Sequence, residues 1–396
     1  MTPESVADVL TPALLLDREI LEANCRRMSA RMAEKGISLR PHLKTAKSID
    51  VARRATEGHS GAITVSTLAE ARYFALGGFS DILYAVGMVP DKAAEVASLQ
   101  NQGTTMTLIT DSLACVTGLA NKAGQMKCHF RLMIEIDCGG LRGGLDPEAP
   151  ELITLAQAIA QSPYLTLAGV MTHGGHSYGV RGLEKVRDIA VEERLAVTRA
   201  AQRLRAAGIP CPVVSAGSTP TAVAADDFEG LTEMRPGVYM FNDLDQVGIE
   251  SCQVADLALS VICSVIGHNP RSGRILIDAG ALALSKDTGG QRFLRDVGYG
   301  RVCDARGRQF DGLFVSEVHQ EHGLVASASG RPDFDRFPIG MKLRILPNHA
   351  CITAAGYGHY WVTNRRGEIE ARWDRLNGWW DAPLTGSERV KLSAGS

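Results

Sequence analysis

Short β-type runs alternate with longer amphipathic segments from about residue 12 to residue 245. The runs lie at residues 12–17, 38–42, 62–66, 81–85, 105–109, 130–136, 167–172, 213–215 and 232–236. Strands that alternate with helices predict parallel βαβ units. Because the alternation returns regularly over roughly 230 residues, it favours a closed (β/α)8 barrel of the TIM type over an open doubly wound sheet.

The pattern changes after about residue 250. An uninterrupted β-type run at 256–267 is followed by runs at 274–278, 312–316, 342–346 and 360–363, with turns rich in Gly and Pro between them. Such runs predict an antiparallel β domain. We therefore expect an α/β chain of two domains, a barrel over residues 12–248 and a β domain made of residues 1–11 and 249–396.

Composition excludes several classes of protein. The 42 Lys and Arg residues nearly balance 44 Asp and Glu residues, which argues against binding of nucleic acid through clustered cations. No apolar run reaches the length of a membrane span, and residues 1–12 lack the basic start and apolar core of a signal peptide. The nine cysteines include no CxxC pair, which is typical of a reduced, cytoplasmic protein.

A lysine follows the second β-type run, in the segment Arg-Pro-His-Leu-Lys-Thr at residues 40–45. Barrel enzymes place their active sites at the carboxyl ends of the strands, where Lys44 would lie. A lysine there forms a Schiff base if burial or a cationic neighbour lowers its pKa, and Arg40, His42 and Lys47 flank it. The six residues alone also fit a solvated basic patch or an anion site.

Two further loops follow predicted strands and carry polar side chains. Residues 135–142 include two glycines that let the backbone approach a ligand, and Arg142 would project over the barrel mouth. Residues 172–178 place two histidines beside glycines, and Tyr178 is positioned to stack on a ring or to hydrogen-bond to it. The alternatives are an Arg–Asp pair that only fixes its loop, and histidines that face solvent.

The last two predicted barrel strands run into loops rich in small residues, at 215–221 and 235–239. Exposed backbone N–H groups and hydroxyls bind phosphate, and barrels hold phosphate in the loops after strands seven and eight. We therefore expect a phosphate site here, with a simple turn as the alternative.

His349 and Cys351 are the sharpest candidates in the second domain. If residues 347–353 form a strand, positions two apart face the same side, and both side chains reach one divalent cation. Two protein ligands are too few for a structural zinc site but leave positions open for water and substrate. The alternative is a histidine and a cysteine that share a face of the core.

Taken together, these motifs resemble the fold-type III pyridoxal-phosphate enzymes of the alanine-racemase barrel class, and among them the D-serine dehydratase / D-threonine aldolase family. The resemblance covers nearly the whole chain, from residue 11 to residue 361. It rests on motifs that fall in the family's order, at residues 40–47, 135–139, 217–221, 235–239 and 278–280. The His-x-Cys pair resembles the dehydratase branch with its D-threo-3-hydroxyaspartate dehydratases, since the D-threonine aldolases more often show His-x-Asp.

The resemblance implies a role for each matching residue. Lys44 matches the lysine that binds the cofactor pyridoxal 5'-phosphate, and Arg142 and Tyr178 match residues around its ring. The phosphate cup is matched by Gly217, Ser218, Thr219, Gly237 and Tyr239. His349 and Cys351 match the pair that holds a divalent metal (zinc, manganese or magnesium) beside the β-hydroxyl of the substrate.

The implied activity is that of a cofactor- and metal-dependent lyase. It would dehydrate D-3-hydroxy amino acids (D-threo-3-hydroxyaspartate, D-serine, D-threonine) to a 2-oxo acid and ammonia, with Lys44 as the base for the Cα proton. The runner-up is the aldolase reaction, which cleaves the same substrates to glycine and an aldehyde. Two minor alternatives are a racemase, for which Tyr299 and Tyr357 are available, and a non-catalytic carrier of the cofactor.

The resemblance also implies a homodimer, because two-domain barrels of this class complete their site across a dimer. The preferred β-substituent stays open. A second substrate carboxylate would need a cationic side chain nearby, and the unranked candidates are His173, His176, Arg181 and His319.

Overall fold

Two sheets make up the framework, one of eight parallel strands and one of nine strands that are mostly antiparallel. The computed structural model describes residues 3–379. Residues 1–2 and 380–396, which belong to the predicted β domain, lie outside the described residues. The division of the chain into two domains after residues 11 and 248 stays a prediction, although the sheets locate each strand.

The parallel sheet contains every barrel strand that the sequence pattern predicts from residue 38 onward. After β1 (Ala13–Asp17) come β2 (Ser38–Leu39), β3 (Ile63–Val65), β4 (Asp81–Gly87), β5 (Thr105–Thr110), β6 (Phe130–Glu135), β7 (Leu165–Met171), β8 (Val213–Ala216) and β9 (Glu233–Met234). The helices of this half are α1 (Arg18–Glu34), α2 (Ile49–Ala55), α3 (Leu68–Leu76), α4 (Ala93–Asn101), α5 (Leu113–Met126), α6 (Glu151–Gln161), α7 (Leu183–Ala206), α8 (Thr219–Ala224) and α9 (Leu244–Ile249).

The eight strands close into a ring. Their order is β2-β9-β8-β7-β6-β5-β4-β3, and residues 41–43, just beyond β2, bond to β3. The Leu43 N–H donates to Thr64 O at 2.8 Å, and the Thr64 N–H donates to Pro41 O at 2.9 Å. The predicted fold class, a (β/α)8 barrel with a C-terminal antiparallel β domain, is confirmed.

Alternate residues of the barrel strands face opposite sides, as the strand period of two requires. Leu108 belongs to the large core that includes the surrounding helices. Its neighbour Ile109 belongs to a separate buried cluster with Leu83 and Met133. Because both faces of these strands are buried over much of their length, apolar residues lie on both faces, which is typical of parallel sheets.

The second sheet is built from the strands of the C-terminal half, with β1 added. Its other strands are β10 (Leu259–Asn269), β11 (Arg274–Ile277), β12 (Arg301–Asp304), β13 (Gln309–Val318), β14 (Gly323–Ser327), β15 (Lys342–Leu346), β16 (His359–Thr363) and β17 (Ile369–Asp374). Two short helices, α10 (Ala281–Leu284) and α11 (Ala350–Ala354), project from it. The strand order is β11-β14-β13-β12-β15-β10-β1-β16-β17.

The first strand corrects the sequence prediction. We expected residues 12–17 to be a barrel strand, but β1 pairs antiparallel with β10 and parallel with β16. The chain therefore starts in the β domain and enters the barrel through α1, which begins at Arg18. An apolar run such as Ala13–Asp17 fits a buried position in either sheet, so its pattern alone does not distinguish the two.

The turn that follows β2 is held from the β-domain side. Tyr360 is fully buried on β16, and its hydroxyl donates to Ala46 O at 2.6 Å. The Arg375 guanidinium donates to Tyr360 Oη at 3.1 Å and to the Ala354 carbonyl at the end of α11. The Leu376 N–H donates to Lys47 O at 2.8 Å. These bonds fix the residue 42–47 turn of the barrel relative to α11.

Two further sequence expectations concern the cysteines and membrane-spanning helices. All nine cysteines are free thiols, as expected for a chain without a disulfide framework. Within residues 3–379, no helix combines the length and the apolar character that a bilayer crossing requires.

The Tyr360 hydroxyl provides a test of this clamp. Replacing Tyr360 with Phe removes a buried hydroxyl that both donates and accepts, so we expect the free energy of unfolding to fall by about 1–3 kcal/mol. Denaturant titration measures the change, and Tyr164→Phe is the matched control because Tyr164 is 39% exposed. Equal stability of the Tyr360 variant and the control would contradict the clamp.

Candidate active site

A cavity of about 280 Å3 lies between the carboxyl ends of the barrel strands and the β domain. Seven of the ten site residues predicted from the sequence line it: Lys44, Arg142, Tyr178, Ser218, Gly237, His349 and Cys351. The first five come from five separate barrel loops, which follow β2, β6, β7, β8 and β9, and the last two come from the β domain. Gly217, Thr219 and Tyr239, the other three, lie in the loops behind its wall.

Lys44 lies in the clamped turn that follows β2. Burial lowers the pKa of its ammonium group, and the charges of Arg142 and Arg235 lower it further, whereas Cys351 opposes them. The cationic neighbours are therefore not Arg40 and Lys47, which the sequence suggested. Arg40 bonds to Glu233 Oε2 at 2.6 Å and Lys47 to Glu70 Oε1 at 3.2 Å, so both charges are engaged elsewhere.

The histidines at the barrel mouth are neutral. Burial, followed by the charges of Lys44 and Arg235, holds the pKa of His42 well below its ordinary value. Burial and the charges of Arg142 and Lys44 lower the pKa of His173 to about 3. His173 Nδ1 lies 3.2 Å from Gly217 O, so this nitrogen carries the proton and donates.

Tyr178 lines the cavity beside His173, with ring centroids 6.2 Å apart. Burial raises the pKa of its phenol, and the Tyr178 hydroxyl accepts a hydrogen bond from the Thr219 backbone. The ring is therefore neutral and fixed in orientation. A planar ligand in the cavity would meet an aromatic face on this side.

The prediction of a strand at residues 347–353 is wrong, but the side chains of His349 and Cys351 still lie next to each other. β15 ends at Leu346, and His349 is the N-cap of the short helix α11. His349 and Cys351 nevertheless hydrogen-bond to each other through their side chains. Cys351 Sγ also lies 3.2 Å from Thr45 Oγ1, which brings the β-domain pair next to Lys44.

The charges of the pair are complementary. Burial acts to lower the pKa of His349, but hydrogen bonds to Asp287 and Cys351 raise it to about 11. Burial acts to raise the pKa of Cys351, but the hydrogen bond and charge of His349 lower it below the ordinary thiol value. These opposite shifts favour an imidazolium–thiolate pair when nothing else is bound.

Asp287 is a site residue that sequence reasoning missed. His349 Nδ1 donates to Asp287 Oδ2 at 2.7 Å, which leaves Nε2 as the ring nitrogen for other partners. A carboxylate behind a histidine in this way fixes the ring for metal binding. Asp287 lies 62 residues before His349 in the chain, so no local spacing signals the contact.

Other polar residues of the cavity were also missed as individual side chains. Arg235 is buried and donates to Ser215 Oγ at 2.7 Å and to the Thr172 carbonyl, where three barrel strands end. The cavity wall further includes Asp243, Asp245 and Arg292. Of these, only Arg235 lies in a motif that the sequence singled out.

Of the five residues predicted to hold phosphate, two line the cavity and three do not. Ser218 and Gly237 line the cavity, but the Gly217 N–H donates to Glu193 Oε1 at 3.1 Å. The Tyr239 N–H donates to Thr219 Oγ1 at 3.1 Å, which joins the two loops. The Tyr239 side chain packs in the core and not in the cavity. Three of the five predicted residues therefore shape the loops from behind.

The site and fold together define a class: a parallel barrel with a buried lysine at its mouth, closed by a β domain that carries a His–Cys pair. Residues 16–245 match the family model described as "Alanine racemase, N-terminal domain", and residues 258–363 match "Putative serine dehydratase domain". The chain belongs to the family of alanine-racemase-like barrel enzymes that includes the D-threo-3-hydroxyaspartate and D-serine dehydratases.

Individual relatives agree over nearly the whole chain. D-threo-3-hydroxyaspartate dehydratase from Delftia sp. is 42% identical over 93% of this chain and 98% of its own. D-serine dehydratase from Dictyostelium discoideum is 30% identical over 92% and 96%. The solved structure of the Delftia enzyme has a TM-score of 0.92 and 42% identity, with coverage of 95% and 100%.

An aldolase also matches. 3-Hydroxy-D-aspartate aldolase from Paracoccus denitrificans is 28% identical over 93% of this chain and 92% of its own. Dehydratases and aldolases are both lyases, so the expected enzyme class is confirmed.

Gly237 tests the tight packing at the cavity wall. A Cβ on Gly237 would lie 2.8 Å from His42 O, so an alanine must displace the turn that carries Lys44. We expect Gly237→Ala to lower the free energy of unfolding by about 1–3 kcal/mol. The control is Gly87→Ala, since a Cβ on Gly87 meets no atom within 4 Å. A change as small as that of the control would contradict this packing.

Proposed function

We propose that the chain is a pyridoxal-phosphate- and divalent-metal-dependent dehydratase of D-3-hydroxy amino acids. Its substrates would be D-threo-3-hydroxyaspartate, D-serine and D-threonine, and its products a 2-oxo acid and ammonia. The observation that carries the proposal is that Lys44 and the His349–Cys351 pair face one cavity and meet through Thr45. The dehydratase relatives support the same reaction.

Pyridoxal phosphate fits the barrel side of the cavity. The lowered pKa of Lys44 favours a neutral amine, which is the form that reacts with an aldehyde. Tyr178 and Arg142 lie where the cofactor ring would be held, and Gly175 leaves room for the arginine, with its Cβ position 3.2 Å from Arg142 Nε. When bound, the cofactor withdraws electron density from the Cα of an amino acid.

The phosphate would lie against the loops after β8 and β9. Ser218 and Gly237 are the residues proposed to contact it, because they line the cavity. Gly217, Thr219 and Tyr239 are proposed to set the shape of these loops. At Gly217 the backbone has φ +112°, a value that glycine adopts without strain.

A divalent metal fits the β-domain side. An imidazole and a thiolate are a donor set that suits zinc, and manganese and magnesium are the other candidates. Among residues 3–379, no group of three or more His, Cys, Asp or Glu side chains is arranged to bind a metal. Two ligands, His349 and Cys351, would leave open positions at which the metal could act as a Lewis acid on a β-hydroxyl.

The Delftia structures support this assignment. Among them are a histidine-to-alanine variant and a metal-free form of a cysteine-to-alanine variant, and the two altered positions are two residues apart. His349 and Cys351 have the same spacing.

The residues of this chain divide the work. Lys44 is the proposed base for the Cα proton, since burial favours its neutral amine. Asp287 holds His349 in one orientation and so positions the pair that faces the β-hydroxyl. His173 and His42 are neutral, so they do not attract the substrate carboxylate by charge.

Retro-aldol cleavage is the second candidate, favoured by the Paracoccus aldolase match. The orientation of the breaking bond relative to the cofactor ring decides between the two reactions. A non-catalytic carrier is disfavoured because the β domain contributes His349 and Cys351 to the cavity. A racemase is the other minor alternative, since its second acid or base would come from the β domain of a partner subunit, with Tyr299 and Tyr357 as the candidates.

We further propose a homodimer in the cytoplasm that acts on a small-molecule D-amino acid. Leu141, which is 69% exposed, directly precedes the cavity residue Arg142, and Ile352, which is 50% exposed, directly follows the cavity residue Cys351. They are the apolar side chains proposed to contact the second subunit.

Lys44 is tested by its spectrum. Lys44→Ala removes the amine that binds the cofactor, so we expect the visible absorbance of the lysine-bound cofactor to disappear. Lys122→Ala, at an exposed lysine of α5, should keep the spectrum of the parent enzyme. A parent-like spectrum in the Lys44 variant would disprove the assignment.

The metal pair is tested by metal content. Cys351→Ala removes one of two ligands, so we expect bound metal per subunit to fall well below one while thermal unfolding stays cooperative. Cys128→Ala is the control, because Cys128 is a partly exposed free thiol outside the cavity lining. Unchanged metal in the Cys351 variant, or full turnover after chelation, would overturn the metal's role.

A further inference from the structure

Among residues 3–379, Arg292 is the arginine that the β-domain side contributes to the cavity lining, beside the His349–Cys351 pair. It ends the short 3-10 helix Gly289–Arg292, and its charge lowers the pKa of Asp287, the partner of His349. Its guanidinium forms no hydrogen bond or ion pair with the part of the chain between residues 3 and 379. A cation at the cavity mouth without a protein partner is available to an anionic ligand.

The cations suggested from the sequence for a second substrate carboxylate are engaged or uncharged. His176 pairs with Glu192 at 3.2 Å and Arg181 with Glu250 at 2.9 Å, and neither lines the cavity. His319 pairs with Glu317 at 3.3 Å on the far hairpin. His173 lines the cavity, but burial lowers its pKa to about 3, so it carries no charge at neutral pH.

Apart from His349, which is paired with Asp287 and Cys351, the remaining cavity cations are committed to the barrel side. Arg235 is buried and donates to Ser215 and Thr172. Lys44 faces the proposed cofactor. Arg142 lies beside Gly175 and lowers the pKa of Lys44 and His173, which places its charge at the ring side of the cavity.

The acids near Arg292 are also accounted for. Asp287 accepts from His349, and Asp243 accepts from the Ala350 N–H at 2.9 Å. Burial, with the charge of Asp243, raises the pKa of Asp245 to about 7, so its carboxyl is partly protonated near neutral pH. These carboxylates therefore do not close off the guanidinium with a direct ion pair.

We propose that Arg292 binds the β-carboxylate of a 3-hydroxy-dicarboxylic D-amino acid and so makes the enzyme prefer 3-hydroxyaspartate to D-serine. The proposal rests on the proposed function. In a 3-hydroxyaspartate the β-hydroxyl and the β-carboxylate share one carbon, so a hydroxyl held at His349 and Cys351 brings the carboxylate to the same side of the cavity. Arginine and a carboxylate pair through two parallel hydrogen bonds. D-Serine and D-threonine have no carboxylate on the β-carbon, so they cannot form this pair with Arg292.

The test compares substrates within each variant. The ratio of kcat/KM for D-threo-3-hydroxyaspartate to that for D-serine should fall roughly 10- to 100-fold in Arg292→Met, the range for a lost charged hydrogen bond. Arg292→Lys keeps the charge and should retain part of the preference. Arg295→Met, an exposed arginine outside the cavity lining, is the matched control and should keep the parent ratio.

A binding measurement separates this inference from the reaction. D-aspartate and D-alanine lack the leaving hydroxyl, and their dissociation constants follow from the change in cofactor absorbance on titration. The preference for D-aspartate over D-alanine should fall by a similar factor in Arg292→Met and not in Arg295→Met. If both ratios stay at the parent value, the role of Arg292 is wrong even where dehydration is observed.

Failure of the two proposals is distinguishable. If the parent enzyme forms a 2-oxo acid from D-serine but neither turns over 3-hydroxyaspartate nor prefers D-aspartate, Arg292 is wrong and the dehydratase stands. If no D-3-hydroxy amino acid gives a 2-oxo acid, the proposed function fails, and the D-aspartate titration still decides whether Arg292 binds a carboxylate.

Discussion

The bonds from the β domain to the turn that carries Lys44 decide whether this chain has a site at all. Ala46 O accepts from Tyr360, and Arg375 donates both to Tyr360 and to the Ala354 carbonyl of α11. The lysine of the barrel and the His–Cys helix of the β domain therefore share one set of buried partners. A loss of these bonds would separate the two groups that the proposed reaction needs on opposite sides of a substrate.

Electrostatics divides the cavity into two halves. On the barrel side, burial and neighbouring cations lower the pKa of Lys44 and keep His42 and His173 uncharged. On the β-domain side, Asp287 and Cys351 hold His349 as a cation in the absence of metal. Nucleophilic and proton-transfer chemistry is thus favoured at one wall, and the other wall is the proposed metal site.

Much of the fold could be predicted from the sequence, because buried parallel strands and the helices between them leave an alternating pattern. Residues at the ends of those strands, such as Lys44 and Tyr178, could be placed at the barrel mouth for the same reason. The sheet to which Ala13–Asp17 belongs could not, since a short apolar strand fits either sheet. The direction of the Tyr239 side chain, which points into the core, depends on loop geometry that composition does not specify.

The residues that sequence reasoning missed are those whose role depends on distant contacts. Asp287 acts through His349, and Arg292 reaches the cavity from a short 3-10 helix that matches none of the motifs singled out in the sequence. The helix that carries Cys351 also replaced an expected strand, because β15 ends at Leu346. His349 and Cys351 are nevertheless in contact, since residues two apart at the start of a helix can still bring their side chains together.

Product analysis with added pyridoxal phosphate and a divalent metal is the most direct measurement. The substrates are D-serine, D-threonine and D-threo-3-hydroxyaspartate, each beside its L form. We expect ammonia and a 2-oxo acid in equal amounts from D forms and neither from L forms. Glycine and an aldehyde as the products would contradict dehydration and assign the same cavity to aldol cleavage.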